Sequence, residues 1–463
     1  MGMAVNASSG GAARSDGRPR TRTLAKDPPP RPLSLEDLAI LSLECETVAG
    51  HTCKVIVLEG PIDPAALRAS IASRLDQAPE LALRLGEIDG VRCWVDDGQA
   101  PDLDRHVVVD DGGAVDDAGL RTAVARIFEQ RLDRSEPLWR LDVIPELVGG
   151  GSALVWRIHH ALADGTTAMR IASAVLWDEA DGDADDARSS HATRSGAAAT
   201  GGVGGAAERH RLNLGLSALA REAPRPWRRS PFDGRIDAQR TVAFATADLI
   251  GLHRVAAAID GATVNDAVLT VVAGGLRRWL EAHHGHLGAV RVKVPVSLHG
   301  AAHAHPDETP EAGNRDSYFC LDLPLGPPDP AERLAAVRRA TRARKQDHDA
   351  ERLDSMMREL GHCSPGLRRF ADHLLAQPRS FALNISNVPG PRRPVNVLGV
   401  PALALYSIAE IGERHALRIA VLSLAGTLRL GLCADPTLLP GVAQLAADIE
   451  SEAAALLAHE VGG

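Results

Sequence analysis

The chain has 463 residues, 45% apolar and 3% aromatic, with a formal net charge of −9 and a pI near 6.1. That length is too great for one ordinary core, so two domains of roughly 150–200 residues are expected. The acidic balance argues against a nucleic-acid partner, which needs a concentrated basic face, and without a run of 18 apolar residues no membrane-spanning helix is predicted.

Residues 1–30 lack the apolar stretch of a signal peptide and read as a disordered, arginine-containing tail. Globular text starts at Leu33. "PLSLEDLAILSLE" has a helical period with Ser34 as N-cap and Asp37 three residues on. "TCKVIVLEG" reads as a strand ending at Gly60, and a helix follows from Asp63 to about Gln77. From Gly119 to Leu132 the residues Leu120, Val124, Ile127 and Phe128 share one helical face. "WRLDVIPEL" and "SALVWRIHH" predict two strands joined through Gly149–Gly151, and "TTAMRIASAVLWDEA" predicts a helix. Residues 31–177 thus form an N-terminal domain, and 178–237, acidic and then Gly/Ala-rich, form an interdomain connection.

Residues 238–463 repeat the mixture. "RTVAFATA" is a strand, "DLIGLHRVAAAID" a helix and "TVNDAVLTVVAGGLRRWLEAH" a long helix. Strands at "VRVKVPVSL" and "YFCLDLPL", a basic helix at "DPAERLAAVRRATRARKQ", a strand-to-turn at "SFALNISNVPGP", a hairpin at "HALRIAVLSLAGTLRLGLCAD" and a last helix near Leu439 complete it. Strands and helices mix without strict alternation, which makes the fold class α+β, or mixed α/β. The six cysteines are scattered with no C-x-x-C pair, so free thiols and a reducing cytoplasm are expected.

The chemistry concentrates in "WRIHHALADG", Trp156 to Gly165. Two histidines and a carboxylate at a strand end admit three readings: a metal site, a buried polar pair, or a general base with its orienting group. Along a strand, Trp156, Ile158 and His160 share one face while Val155, Arg157 and His159 share the other. Adjacent histidines therefore do not easily hold one metal, and neither H-E-x-x-H nor a cysteine cluster supplies a third ligand, so no metal is expected. A base must be neutral and held in one tautomer, which a nearby carboxylate such as Asp164 favours, and Gly165 permits a sharp turn.

H-H-x-x-x-D-G resembles the signature of the acyl-CoA-dependent acyltransferases, which include chloramphenicol acetyltransferase, plant acyltransferases and condensation domains. "EPLW" (Glu136 to Trp139), "TVNDAVL" (Thr263 to Leu269), "VPVSL" (Val294 to Leu298), "GNRDSYF" (Gly313 to Phe319) and "SNVPGP" (Ser386 to Pro391) follow in order. Together they make the chain similar to the bacterial wax ester synthase/diacylglycerol acyltransferase family from about Leu33 to the C-terminus. The resemblance implies two chloramphenicol-acetyltransferase-like domains with a channel between them. It implies His160 as general base, Asp164 as organiser and His159 in support, with long-chain acyl-CoA as substrate, no separate cofactor, and diacylglycerol or a long-chain alcohol as acceptor. It also implies peripheral contact with the inner face of the plasma membrane or with lipid inclusions, for which Arg225-Pro226-Trp227-Arg228-Arg229 is one candidate.

The accessory motifs have plainer readings beside these. "TVND" is a capping-box pattern, yet a helix N-terminus also welcomes an oxyanion, so Asn265 is a candidate near the reacting carbonyl. Asn387 lines the site or shapes a turn, and Pro137 and Trp139 serve packing or substrate binding. Arg338, Arg339, Arg342, Arg344 and Lys345 meet CoA phosphates or form a solvated face. Ala163, His299 and Leu424 depart from residues frequent in the family; the last two bear on acceptor choice or the tunnel lining. A condensation-type transferase with another acceptor and a non-catalytic lipid-binding protein on inclusions stand as alternatives.

Overall fold

The computed structural model describes residues 30–178, 230–259, 261–297, 316–350, 380–412 and 414–459, with isolated positions between them. In the N-terminal part the order is β1 (Arg31–Pro32), α1 (Leu35–Leu43), β2 (His51–Leu58), α2 (Pro64–Arg74), β3 (Arg84–Ile88), β4 (Val91–Val95), α3 (Leu103–His106), β5 (Val107–Val109), α4 (Asp117–Phe128), β6 (Trp139–Ile144), β7 (Ser152–His159) and α5 (Gly165–Val175). The C-terminal part contains β8 (Thr241–Asp248), α6 (Leu249–Ala257), α7 (Val264–His284), β9 (Arg291–Ser297), β10 (Asp316–Asp322), α8 (Pro330–Gln346), β11 (Leu383–Val388), β12 (Asn396–Val397), β13 (Val400–Ala409), β14 (Leu417–Leu424), β15 (Thr427–Ala434) and α9 (Val442–Ala458).

Local sequence explains most of these elements. Ser34 and Asp37 form the reciprocal capping box that starts α1. Asp116 caps α4, whose residues Leu120, Val124, Ile127 and Phe128 are buried along one face. All eight residues of β7 are buried, so this strand is covered on both faces. Each large apolar side chain there, such as Trp156 or Ile158, contributes about 1.5–3 kcal/mol by leaving water. Arg157 is tolerated in that interior because Asp142 accepts from it at 2.8 Å and Gln130 O at 2.6 Å.

Two six-stranded sheets carry the architecture. One has the order β12-β13-β2-β7-β6-β5, the other β10-β9-β11-β14-β15-β8; β1, β4 and β3 form a small third sheet. Parallel pairs (β5/β6, β11/β14, β11/β9) occur beside antiparallel ones, as a mixed fold requires. The division by sequence is not the division by sheet. Strand β13, from the C-terminal part, pairs with β2 in the N-terminal sheet, placing Ser407 opposite Lys54 and Ile408 opposite Cys53. The sequence reading gives no strand over Val400–Ala409, and no local pattern announces such a crossover.

The packing follows suit. One core lies between α6–α9 and the second sheet. The first sheet has cores on both faces, one of which draws in Val242, Ile408 and Cys433 and so joins the two parts. Of the expected connection, Glu222, Phe232 and Ile236 are buried, and Glu222 accepts from Arg291 at 3.0 Å. Residues 1–29 and 179–219 lie outside the described residues, as do Cys363 and His299; Cys45, Cys53, Cys93, Cys320 and Cys433 are free thiols. Among the described residues no helix is long and apolar enough to cross a membrane.

Candidate active site

The strand β7 ends at His159 and α5 starts at Gly165, so the histidine motif occupies a turn of five residues between them. Backbone bonds define this turn. His159 O accepts from Leu162 N at 2.9 Å and from Ala163 N at 3.2 Å, and His160 N donates to Gly50 O at 3.0 Å. Asp164 is the N-cap of α5, accepting from Thr167 N at 2.6 Å, and it is buried. Gly165 follows because nothing larger fits: a Cβ there would lie 2.8 Å from Val388 Cγ2, at the end of β11. The start of α5 and the "NVPGP" turn of the C-terminal part are thereby in contact.

His160 is half-buried in this turn. Burial pushes its pKa down from 6.5 to about 4, with the Arg418 guanidinium adding to the effect; a hydrogen bond to its own backbone and the Asp164 carboxylate act in the opposite direction. The ring is consequently neutral at pH 7, the state a general base needs. Asp164 thus has two parts: it caps a helix and opposes the depression of the base.

His159 faces the other way, as strand alternation requires. It is opposite His51 in the β2/β7 register, and His51, packed on Phe128 of α4, has its pKa lowered to about 3 by burial. His159 Nδ1 accepts from Ala161 N at 3.1 Å, and its Nε2 lies 3.4 Å from Glu44 Oε2. Burial raises the Glu44 pKa, but the adjacent His159 ring and the bonds from Arg134 outweigh it and the carboxyl falls below its ordinary value. The two histidines therefore belong to different environments, and among the described residues no group of three ligating side chains converges on a metal position.

Asn265 is the second residue of α7. Asp266 beside it completes a capping box with Thr263, so the plain reading of "TVND" holds. Asn265 is also drawn into the site region: Asn387 Nδ2 donates to its Oδ1 at 3.5 Å, and Asn387 precedes the Val388 that touches Gly165. Trp139 goes elsewhere. It is buried at the start of β6, donates to Leu81 O at 2.8 Å and stacks on His106 at 4.4 Å, so it packs within the interior of the N-terminal part.

Arg344 is paired with Asp349 at 2.7 Å, while Arg339, Arg342 and Lys345 are exposed on α8. Ala163 and Leu424 are buried. The segments 225–229 and 313–315 lie outside the described residues. Sequence reasoning missed Glu44, Lys54 and Arg418. Lys54 is buried, donates to Ser407 Oγ at 2.7 Å, and has its pKa lowered to about 8 chiefly by burial. The available signal for Lys54 and Arg418 is a lone charge within an apolar strand, in "TCKVIVL" and "ALRIAVL". Glu44 carries no such signal.

Comparison with known proteins accords with this geometry. Residues 33–268 match the wax ester synthase/diacylglycerol acyltransferase catalytic domain, and residues 312–456 the C-terminal domain of the same proteins. The chain is 30% identical over 447 residues to a probable diacylglycerol O-acyltransferase of Mycobacterium tuberculosis, covering 90% of this chain and 94% of that one. Among solved structures, the wax ester synthase/diacylglycerol acyltransferase of Marinobacter aquaeolei superposes with a TM-score of 0.67 at 22% identity, covering 93% and 99% of the two chains. A starter condensation domain of rhizomide synthetase superposes at 0.57 with 15% identity, over 92% and 94%, which is a likeness of fold.

Proposed function

The chain belongs to the wax ester synthase/diacylglycerol acyltransferase family, and from that premise we propose that it moves a long-chain acyl group from acyl-CoA to the hydroxyl of a diacylglycerol or a long-chain alcohol. The observation that carries this is His160: a neutral, half-buried imidazole on a turn braced by Gly50, Asp164 and the Val388 contact. In this reading His160 takes the hydroxyl proton as the acceptor oxygen attacks the thioester carbonyl. The carbonyl electrons move onto oxygen, where the Asn265 side chain or a backbone N–H of the α7 start donates a hydrogen bond. One such donor is worth about 10²–10³ in rate. The C–S bond then breaks, and the imidazolium returns its proton to the departing CoA sulfur.

A base with a pKa of about 4 is weak in the ground state. It gains strength along the reaction, since the forming oxyanion and Asp164 both stabilise the imidazolium. Acyl-CoA is consumed as substrate, and the sequence of steps calls for no cofactor. The two substrates approach through a channel between the two parts, acyl-CoA on one side and acceptor on the other. Fatty substrates place the enzyme on the cytoplasmic surface of a membrane or on a lipid inclusion.

Free CoA released on mixing palmitoyl-CoA with diacylglycerol, and separately with hexadecanol, tests the reading, with His160→Ala as the blank. Failure of both acceptors to elicit CoA release from the wild-type protein refutes it; the ratio of the two rates assigns the acceptor.

A further inference from the structure

Glu44 stands on the opposite side of the histidine turn from the proposed reaction centre, directly after α1. Its side chain is 5% exposed and that of His159 1%. Arg134 Nε donates to Glu44 Oε2 at 2.9 Å, and Arg134 Nη2 also donates to Leu41 O at 2.9 Å, so the carboxylate is itself tied down. Gly50, whose φ is +73°, packs so closely that a Cβ on it would lie 2.8 Å from His159 Nε2. The imidazole of His159 thus fills the space between Glu44, Gly50 and the turn.

The direction of the hydrogen bonds decides the tautomer. Ala161 N donates to His159 Nδ1 at 3.1 Å, so Nδ1 must carry a lone pair and the proton must be on Nε2, the atom 3.4 Å from the Glu44 carboxylate. The opposite tautomer would set two N–H groups against each other at Ala161 and a lone pair against a carboxylate at Glu44. Ala161 follows His160 directly, and His160 N donates to the Gly50 carbonyl. The backbone on both sides of His160 is therefore referenced to this one ring.

We propose that Glu44 is a positioning residue for the transfer reaction, holding His159 in its Nε2–H tautomer so that the ring braces the turn that presents His160. The inference rests on His160 as base. Loosening the brace misplaces the His160 ring relative to the acceptor hydroxyl without altering the surfaces that bind acyl-CoA, and small misplacements of a reacting group are costly in rate.

Two variants and one measurement on the wild-type protein test it. Glu44→Met keeps the size and removes the acceptor: kcat is expected to fall about tenfold with the KM for palmitoyl-CoA within about twofold. Glu44→Gln retains an acceptor oxygen and is expected to stay within about threefold of wild type. In the His159→Ala background, Glu44→Met should cause no further loss, because its effect passes through the missing ring. Independently of any variant's folding, 15N-histidine spectra of the wild-type protein should show His159 as the Nε2–H tautomer. An Nδ1–H or doubly protonated His159, an unchanged kcat in folded Glu44→Met, a Glu44→Gln loss equal to that of Glu44→Met, or the same loss in both backgrounds overturns the proposal. A His160→Ala variant that keeps full activity instead overturns the base assignment, whatever Glu44 does.

Discussion

Two helices, α5 and α7, start close to the proposed reaction centre, each with a buried aspartate at its N-terminus, yet the two carboxylates play different parts. Asp266 is consumed by structure. Its Oδ2 accepts from Thr263 N at 2.8 Å and Thr263 Oγ1 at 2.9 Å, and its Oδ1 from Thr341 Oγ1 at 2.6 Å on α8. The polar group left at that helix start is the neighbouring amide, Asn265. Asp164 has a single capping bond, to Thr167 N, and its field reaches both His160 and the buried Lys54. A saturated cap passes the chemistry to its neighbour, whereas a partly used one acts on the base directly.

The sharpest way to break this comparison is at the base. His160→Ala should lower kcat by about 10²–10⁴ in a protein that still folds, and His159→Ala should cost less; the reverse order in steady-state assays would put the base on the other imidazole. Next comes Asn265→Ala, with an expected loss of about 10² in kcat at nearly unchanged KM if its amide serves the oxyanion.

The pH profile is the third test. Because the folded pKa of His160 is depressed, its base form is present above about 4 and lost below it, so the acid limb of kcat/KM should fall near 4 and not near 6.5. Unfolded chains take up this proton at 6.5, as they do that of His51, so stability should itself decline as pH falls from 6.5 towards 4. Circular dichroism at each pH separates the two effects, and a limb near 6.5 in folded protein contradicts the buried-base picture. The smallest expected effects concern the caps. Asp164→Ala should cost about 1 kcal/mol of stability through its cap alone, with a loss of activity added. Asp266→Ala should cost about 1–3 kcal/mol, since it removes the charge-assisted bonds from both Thr263 and Thr341, while lowering kcat less than Asn265→Ala. Urea unfolding of the two variants beside wild type makes the comparison.

Much of this was legible along the chain. Ser34, Asp63 and Thr263 stand where helices start, and the periodic face of Leu120, Val124, Ile127 and Phe128 is buried, though the helix that carries it starts two residues before Gly119. Both histidines were identified, and alternation placed them on different sides. The environment of Trp139 was only half legible: the sequence offers packing or substrate binding, and the stacking on His106 is what adds a packing partner. Glu44 left no trace in the sequence and Arg418 only that of a lone charge in an apolar strand, because each meets its histidine across more than 100 residues of sequence.

Local sequence by itself determined the mixed α/β elements, their caps and the identity of the H-H-x-x-x-D-G turn, because hydrogen bonding to the nearest backbone and side-chain periodicity act within a few residues. Tertiary structure alone decided that β13 completes the N-terminal sheet, that Val388 meets Gly165, and that Arg418 and burial set the ionisation of His160. Those are effects of proximity and low dielectric, and neither has a counterpart in an extended chain.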